Sequence, residues 1–254
     1  MIIFGKDEPV IITRGIHLLE ENVIFPKVAV GVFSIHLFND IIAKYQCRQI
    51  GYMANANFAK DVYLLKYKDS EIILFLAGVG APHISADIEE LSFHCVKTFI
   101  IFGNCGVLDK TIPDCGIIIP NRAYREDGTS YHYLDCGNEI TLSDKYKDMF
   151  KEILKENDFD YREGATWTTD AFYRETKDKV EYYKNKGCVC VEMEASTIAS
   201  VCEAKGLNYF TFYYAGDNLD SVEWEERSLA SGREPEKKGK VAILALELAR
   251  KISL

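Results

Sequence analysis

The chain has no Cys-x-x-Cys pair, no apolar run near the roughly 18 residues of a membrane-spanning helix, and no excess of basic charge. Each absence excludes something. A net charge of −9 argues against the nucleic-acid backbone as a partner, which calls for a basic face. It leaves room for an anionic substrate, because a local cluster of donors binds one inside an acidic protein. The absence of a long apolar run argues against a membrane protein. The N-terminal Met-Ile-Ile-Phe-Gly-Lys-Asp-Glu lacks the basic stretch and apolar core of a secretory signal. The eight cysteines are scattered at 47, 95, 105, 115, 136, 188, 190 and 202, and Cys188-Val-Cys190 is too tight for a zinc site. Several sit in apolar runs, where a thiol packs as a small hydrophobe. The expectation is a reduced, cytoplasmic protein with no metal and no membrane or nucleic-acid partner.

The 254 residues suffice for one large core, and 48 % apolar with 27 % charged residues is an ordinary globular balance. Strand-like apolar runs occur at 28–33, 72–77, 98–102, 117–120, 188–191 and 209–215. Helix-like periodicity occupies 85–95, 145–157, 195–205 and 238–252, the last through Val241, Leu244, Ala245 and Leu248. This alternation predicts an α/β fold with a central mixed, mostly parallel sheet flanked by helices. No repeat, low-complexity tract or linker divides the chain, so 1–254 reads as a single domain. Residues 121–140 and 216–237 are polar and turn-rich and read as loops near a site.

Glu192-Met193-Glu194 stands between a strand-like and a helix-like run. Acids are favoured at any helix start, but strand ends in α/β sheets are also where ligands collect. Gly78-Val79-Gly80-Ala81-Pro82 joins a strand to a helix, either as a tight turn or as a backbone cradle at the helix N-terminus. It is neither a GxGxxG fingerprint nor a Walker loop. Gly103-Asn104-Cys105-Gly106 is a second glycine-flanked segment, read as a loop after the 98–102 strand; Cys105 has no base nearby in sequence and reads as a packed thiol. Arg125 to Tyr133 is rich in donors and reads equally as a surface or a ligand loop. In Thr168-Thr-Asp-Ala-Phe172-Tyr173, Phe172 either stacks on a planar ring or packs in the core. Asp217 follows Gly216 at the end of an apolar strand, where burial would raise its pKa and suit a general acid; the plainer role is a turn cap.

In order, strand–GVGAP–helix, strand–GNCG, TTDAFY, VEMEA and strand–GD span residues from about 70 to 220. The ordered set resembles the nucleoside phosphorylase family, which includes purine nucleoside phosphorylases, uridine phosphorylases and hydrolytic nucleosidases. The resemblance implies cleavage of an N-glycosidic bond, with phosphate as co-substrate, no cofactor, and a homo-oligomer such as a dimer or hexamer. It implies that Glu194 binds the ribose hydroxyls, Met193 packs on the sugar, and Glu192 contacts sugar or base. Phe172 would stack near the base and Asp217 would protonate a purine ring nitrogen. Gly80, Gly103 and Asn104 would line a phosphate or sugar pocket.

The chain departs from the phosphorolytic pattern in three places. Residues 31–38 read Gly-Val-Phe-Ser-Ile-His-Leu-Phe where the family carries Gly-Asp-Pro-x-Arg, Ile101 replaces an arginine, and no arginine lies near Phe58. Arg48, Arg122 and Arg125 are the replacement candidates for phosphate. Thr176-Lys-Asp178 replaces a Gln-x-Arg pair of uridine phosphorylases, which together with Asp217 favours a purine. The expected function is a purine-type nucleoside phosphorylase. The alternatives are uridine phosphorolysis, hydrolysis on the same fold, or nucleoside binding without turnover.

Overall fold

The computed structural model describes residues 10–12, 14–135, 137–229 and 232–254. The reading of the first eight residues and of Cys136 lies outside them. The described chain runs β1 (His17–Leu18), β2 (Val28–Val32), α1 (Ile35–Lys44), β3 (Gln46–Ala54), β4 (Ala59–Tyr67), β5 (Ser70–Leu76) and α2 (Ala81–Ser92). It continues through β6 (Thr98–Val107), β7 (Ile117–Glu126), β8 (Glu139–Thr141), α3 (Lys147–Glu156), β9 (Tyr161–Thr169) and α4 (Lys177–Asn185). It closes with β10 (Cys188–Glu192), α5 (Ala195–Ala204), β11 (Asn208–Asn218) and α6 (Pro235–Ser253).

All the strands join one mixed sheet. β5, β2, β6 and β11 run parallel side by side, as do β10, β9 and β7. Antiparallel pairings of β10 with β6 and of β11 with β7 join the two groups. Because β6 also pairs with β11, the pairings β6–β10–β9–β7–β11–β6 close on themselves, so these strands present few free edges. β3 and β4 extend the sheet antiparallel beyond β5.

Alternation along the inner strands divides the core between two faces. Ala29 and Ile101 pack with Ile84, Ile88 and Leu91 of α2 and Ile198 and Val201 of α5. Val28, Val30 and Phe102 pack with α1, α3 and α6. Each face thus receives its own helices, which explains why these strands are apolar throughout. Gly31 belongs to this packing, since a Cβ there would sit 2.5 Å from the ring of fully buried Phe75. Gly31→Ala is expected to cost about 1–3 kcal/mol by overpacking, read as a lower denaturation midpoint.

Three segments extend beyond their sequence reading. β6 continues through Gly103-Asn104-Cys105-Gly106, so that motif is strand and not loop. β7 takes in 121–126 from the stretch read as loop, and β11 takes in Gly216, Asp217 and Asn218. In each case pairing with a neighbouring strand overrides the local turn signal of Gly, Asn and Asp.

Candidate active site

An open cavity of about 1130 Å³ lies where the far halves of β6, β10 and β11 meet the turn after β9. Asn104, Cys105, Glu192, Met193, Glu194, Phe172 and Asp217 all line it. Residues far apart in sequence are therefore gathered by the sheet.

Glu192 and Glu194 divide their work. Glu192 Oε1 accepts from Thr168 Oγ1 at 2.6 Å and Thr166 Oγ1 at 3.2 Å. Its Oε2 accepts from the amides of Glu194 at 2.7 Å and Ala195 at 2.6 Å, and from the Tyr213 hydroxyl at 3.0 Å. Its lone pairs are thus spent on the protein. The expected contact of Glu192 with sugar or base is corrected: this carboxylate ties β9, β11 and the start of α5 together, and the α5 N-terminus favours it there. Burial still pushes its pKa up against those hydrogen bonds.

Glu194 Oε1 accepts from the Gly80 amide at 2.6 Å, and Oε2 accepts weakly from the Met193 amide at 3.3 Å. Both oxygens keep acceptor capacity toward the cavity. Burial, and then the neighbouring Glu192 charge, push the Glu194 carboxyl up to about 8. A ligand offering paired hydroxyls relieves that penalty by hydrogen-bonding the ionised form. Met193 sits half-buried between the two acids, with its thioether on the cavity wall.

Asp217 reaches the cavity through a bulge. The β11–β6 register shifts between Ala215, opposite Cys105, and Asp217, opposite Gly106. Such a bulge re-aims a side chain, and Gly216 suits it because a Cβ there would meet Asn104 Cβ at 3.0 Å. Asp217 Oδ2 accepts from the Trp224 indole N–H at 2.7 Å. Burial raises the Asp217 pKa, while that hydrogen bond and Arg227 oppose the shift. A buried carboxyl with one oxygen held and the other free can deliver a proton.

Phe172 lies on the cavity wall beside Tyr173, ring centroids 4.3 Å apart, and is 52 % exposed, so it is not a core residue. The Cys105 thiol is pushed far up by burial, which keeps it protonated and packed. Sequence reasoning missed Trp224 and Glu175. Trp224 hid in a polar segment read as solvated loop, and Glu175 follows the aromatic pair without any motif of its own.

The arginine candidates for phosphate do not reach the cavity. Arg48, on β3, pairs at the surface with Glu20 at 2.7 Å. Arg125 is buried and donates to Ser130 Oγ at 3.0 Å, Gly137 O at 2.8 Å and Leu134 O at 2.8 Å, so it braces the segment after β7. Arg122 donates to Lys186 O at 3.3 Å, also away from the cavity. The glycine loop is similarly committed. Gly80 gives its N–H to Glu194, and Gly78 gives its N–H to Asp87 at 2.7 Å, which in turn grips buried Lys60. Gly103 faces Phe33, whose ring a Cβ would meet at 2.6 Å; Asn104 alone of the polar phosphate candidates lines the cavity.

The family model described as the phosphorylase superfamily matches residues 34–252. The chain belongs to the phosphorylase superfamily. A DeoD-type purine nucleoside phosphorylase of Mycoplasma genitalium is 29 % identical over 200 residues, 75 % of this chain and 80 % of that protein. A guanosine phosphorylase of Halorubrum lacusprofundi is 29 % identical over 144 residues, 56 % of this chain and 58 % of that protein. The crystal structure of a Toxoplasma gondii purine nucleoside phosphorylase in complex with immucillin-H superposes with a TM-score of 0.76 at 21 % identity, covering 94 % of this chain and 95 % of that one. That likeness establishes the shared fold. Among the described residues, no helix is long and apolar enough to cross a membrane.

Proposed function

We propose that this phosphorylase-superfamily enzyme cleaves the N-glycosidic bond of purine nucleosides and transfers the pentose to phosphate. The observation that carries the reading is Asp217, a buried carboxyl re-aimed by a bulge into the cavity that also holds Glu194, Met193 and Phe172. In this reading Glu194 accepts hydrogen bonds from the two ribose hydroxyls, Met193 packs on the sugar, and Phe172 covers the base. Asp217 protonates the ring nitrogen as the bond to C1′ breaks, and the anionic floor stabilises the developing oxocarbenium ion. Phosphate attacks C1′, and the products are the free base and a pentose 1-phosphate. The relatives named for purine and guanosine phosphorolysis support this choice over a pyrimidine. The phosphate is then held by Asn104, by backbone amides, and by groups lent from a second subunit of a homo-oligomer.

A second reading, hydrolysis with water as nucleophile, is favoured by one observation. Among the described residues, no arginine lines the cavity, and the Gly78 and Gly80 amides are occupied by carboxylates. Incubating the protein with guanosine, adenosine and inosine, with and without phosphate, separates the two. Base release with stoichiometric ribose 1-phosphate supports phosphorolysis; an equal rate without phosphate selects water.

The ribose role of Glu194 has its own test. Glu194→Ala is expected to weaken binding of an uncleavable C-nucleoside by about 10- to 100-fold, the worth of hydrogen bonds to a charged group. Below about 8 the empty-site carboxyl is protonated, and binding two hydroxyl donors favours its ionised form. Wild-type affinity should therefore rise between pH 6 and pH 8 and then level off, while the Glu194→Ala protein shows no such rise. Wild-type affinity in the variant would remove Glu194 from ribose binding.

A further inference from the structure

Glu175 follows the short turn Phe172–Arg174, where its amide donates to Phe172 O at 3.1 Å. Its half-buried side chain lines the same cavity as Asp217 and Phe172. Four other acids of the wall are committed to protein donors, and a fifth, Glu181, is exposed. Glu192 is saturated, Glu194 holds Gly80, Asp217 holds Trp224, and Asp220 pairs with Lys184. Among the described residues, Glu175 makes no side-chain hydrogen bond or ion pair. Lys179, the cation that acts on it electrostatically, is itself paired with Glu126.

We infer that Glu175 is a specificity-determining residue that accepts a hydrogen bond from an exocyclic amino group of the base, so that the enzyme prefers amino-bearing purine nucleosides to an oxo-only one. This rests on the purine nucleoside reading above. Asp217 and Glu175 sit near enough that Asp217 is the leading electrostatic influence on Glu175, after burial, and together they raise its pKa to about 7. With Asp217 at the ring nitrogen, Glu175 stands on the wall of the same cavity that would hold the rest of the ring system. Above its pKa of about 7, Glu175 is a carboxylate without donors, which gains from an N–H and is opposed by a carbonyl oxygen, since two acceptors face each other. Phe172, on the face of the ring, has no such preference, because every base has an apolar face.

The test compares kcat/KM for guanosine, adenosine and inosine at about pH 8.5, where Glu175 is ionised, in the wild type, Glu175→Gln and Glu175→Ala. Inosine lacks the 2-amino group of the first and carries a 6-oxo group in place of the 6-amino group of the second. The wild type should favour at least one amino-bearing nucleoside over inosine by about tenfold or more. Both variants should bring that ratio to within about threefold, by lowering the rate on the favoured amino-bearing nucleoside and raising the rate on inosine. A ratio unchanged by both substitutions, or a parallel loss on all three nucleosides, overturns the inference. If no nucleoside is cleaved, the proposed reaction fails. Calorimetric affinities for free guanine, adenine and hypoxanthine then decide the inference alone, by whether the amino-base preference exists and whether it is lost in Glu175→Ala.

Discussion

Asp217→Asn is expected to lower kcat for purine nucleoside cleavage by about 10²–10⁴-fold, the usual worth of a positioned general acid. The substitution is nearly isosteric, and an asparagine oxygen still accepts from Trp224, so the bulge and the cavity wall should persist. What disappears is the proton. A purine leaving from C1′ carries its bonding electrons onto the ring, and without protonation it departs as an anion. Burial prepares Asp217 for this task by raising its pKa, so that a larger fraction is protonated near neutral pH than for a carboxyl in water. The effect should fall on kcat more than on ground-state affinity, because ribose binding rests on Glu194 and Met193. A nucleoside alkylated at the ring nitrogen is already cationic and needs no proton, so the variant should cleave it with little loss. Stopped assays of base release on both substrates check this; full activity of Asp217→Asn on an ordinary purine nucleoside would remove Asp217 from the chemistry.

The second large effect is expected in stability. Glu192→Ala should destabilise the fold by about 3–5 kcal/mol, because it strands several buried donors at once, each costing about 1–3 kcal/mol when wholly unsatisfied. The amides of Glu194 and Ala195 and the Tyr213 and Thr168 hydroxyls lose their acceptor, and the Thr166 hydroxyl is left with Cys190 O at 3.4 Å. Partial relaxation and water entry keep the total below a simple sum. That loss is a large share of the 5–15 kcal/mol that holds a typical domain folded. Glu192→Gln should lie between, since it keeps one acceptor oxygen but turns an NH₂ group toward other donors. Denaturant midpoints measure all three proteins. A loss under about 1 kcal/mol for Glu192→Ala would mean that the carboxylate is not the tie between β9, β11 and α5, and would return it to the list of substrate contacts.

The contrast between these two acids marks what the sequence could disclose. Val-Glu-Met-Glu-Ala placed two carboxylates at a strand-to-helix junction, and the structure puts both on the cavity. The order of motifs told that they share a site with Asp217 and Phe172. It did not tell that Glu192 faces hydroxyls on β9 and β11 and an amide pair at the start of α5, because those partners lie 21 to 26 residues away in sequence or depend on the turn geometry. Asp217 was legible as an acid near a strand end; the bulge that aims it was not, because bulges are set by register with β6. The strands with plain apolar runs were visible. β4 was not, because Lys60 occupies a buried position and breaks the alternation, and only the distant Asp87 accounts for it. Arg125 misled for a related reason: a cation among donors resembles an anion site, whereas its guanidinium fork is filled by local carbonyls.

Purine release from guanosine by the 254-residue protein in phosphate buffer, read by separating nucleoside from base, tests the proposed reaction most directly. Saturable release of free base is expected, with uridine a far poorer substrate. Binding of guanosine with no base formed, in the presence or absence of phosphate, would contradict it.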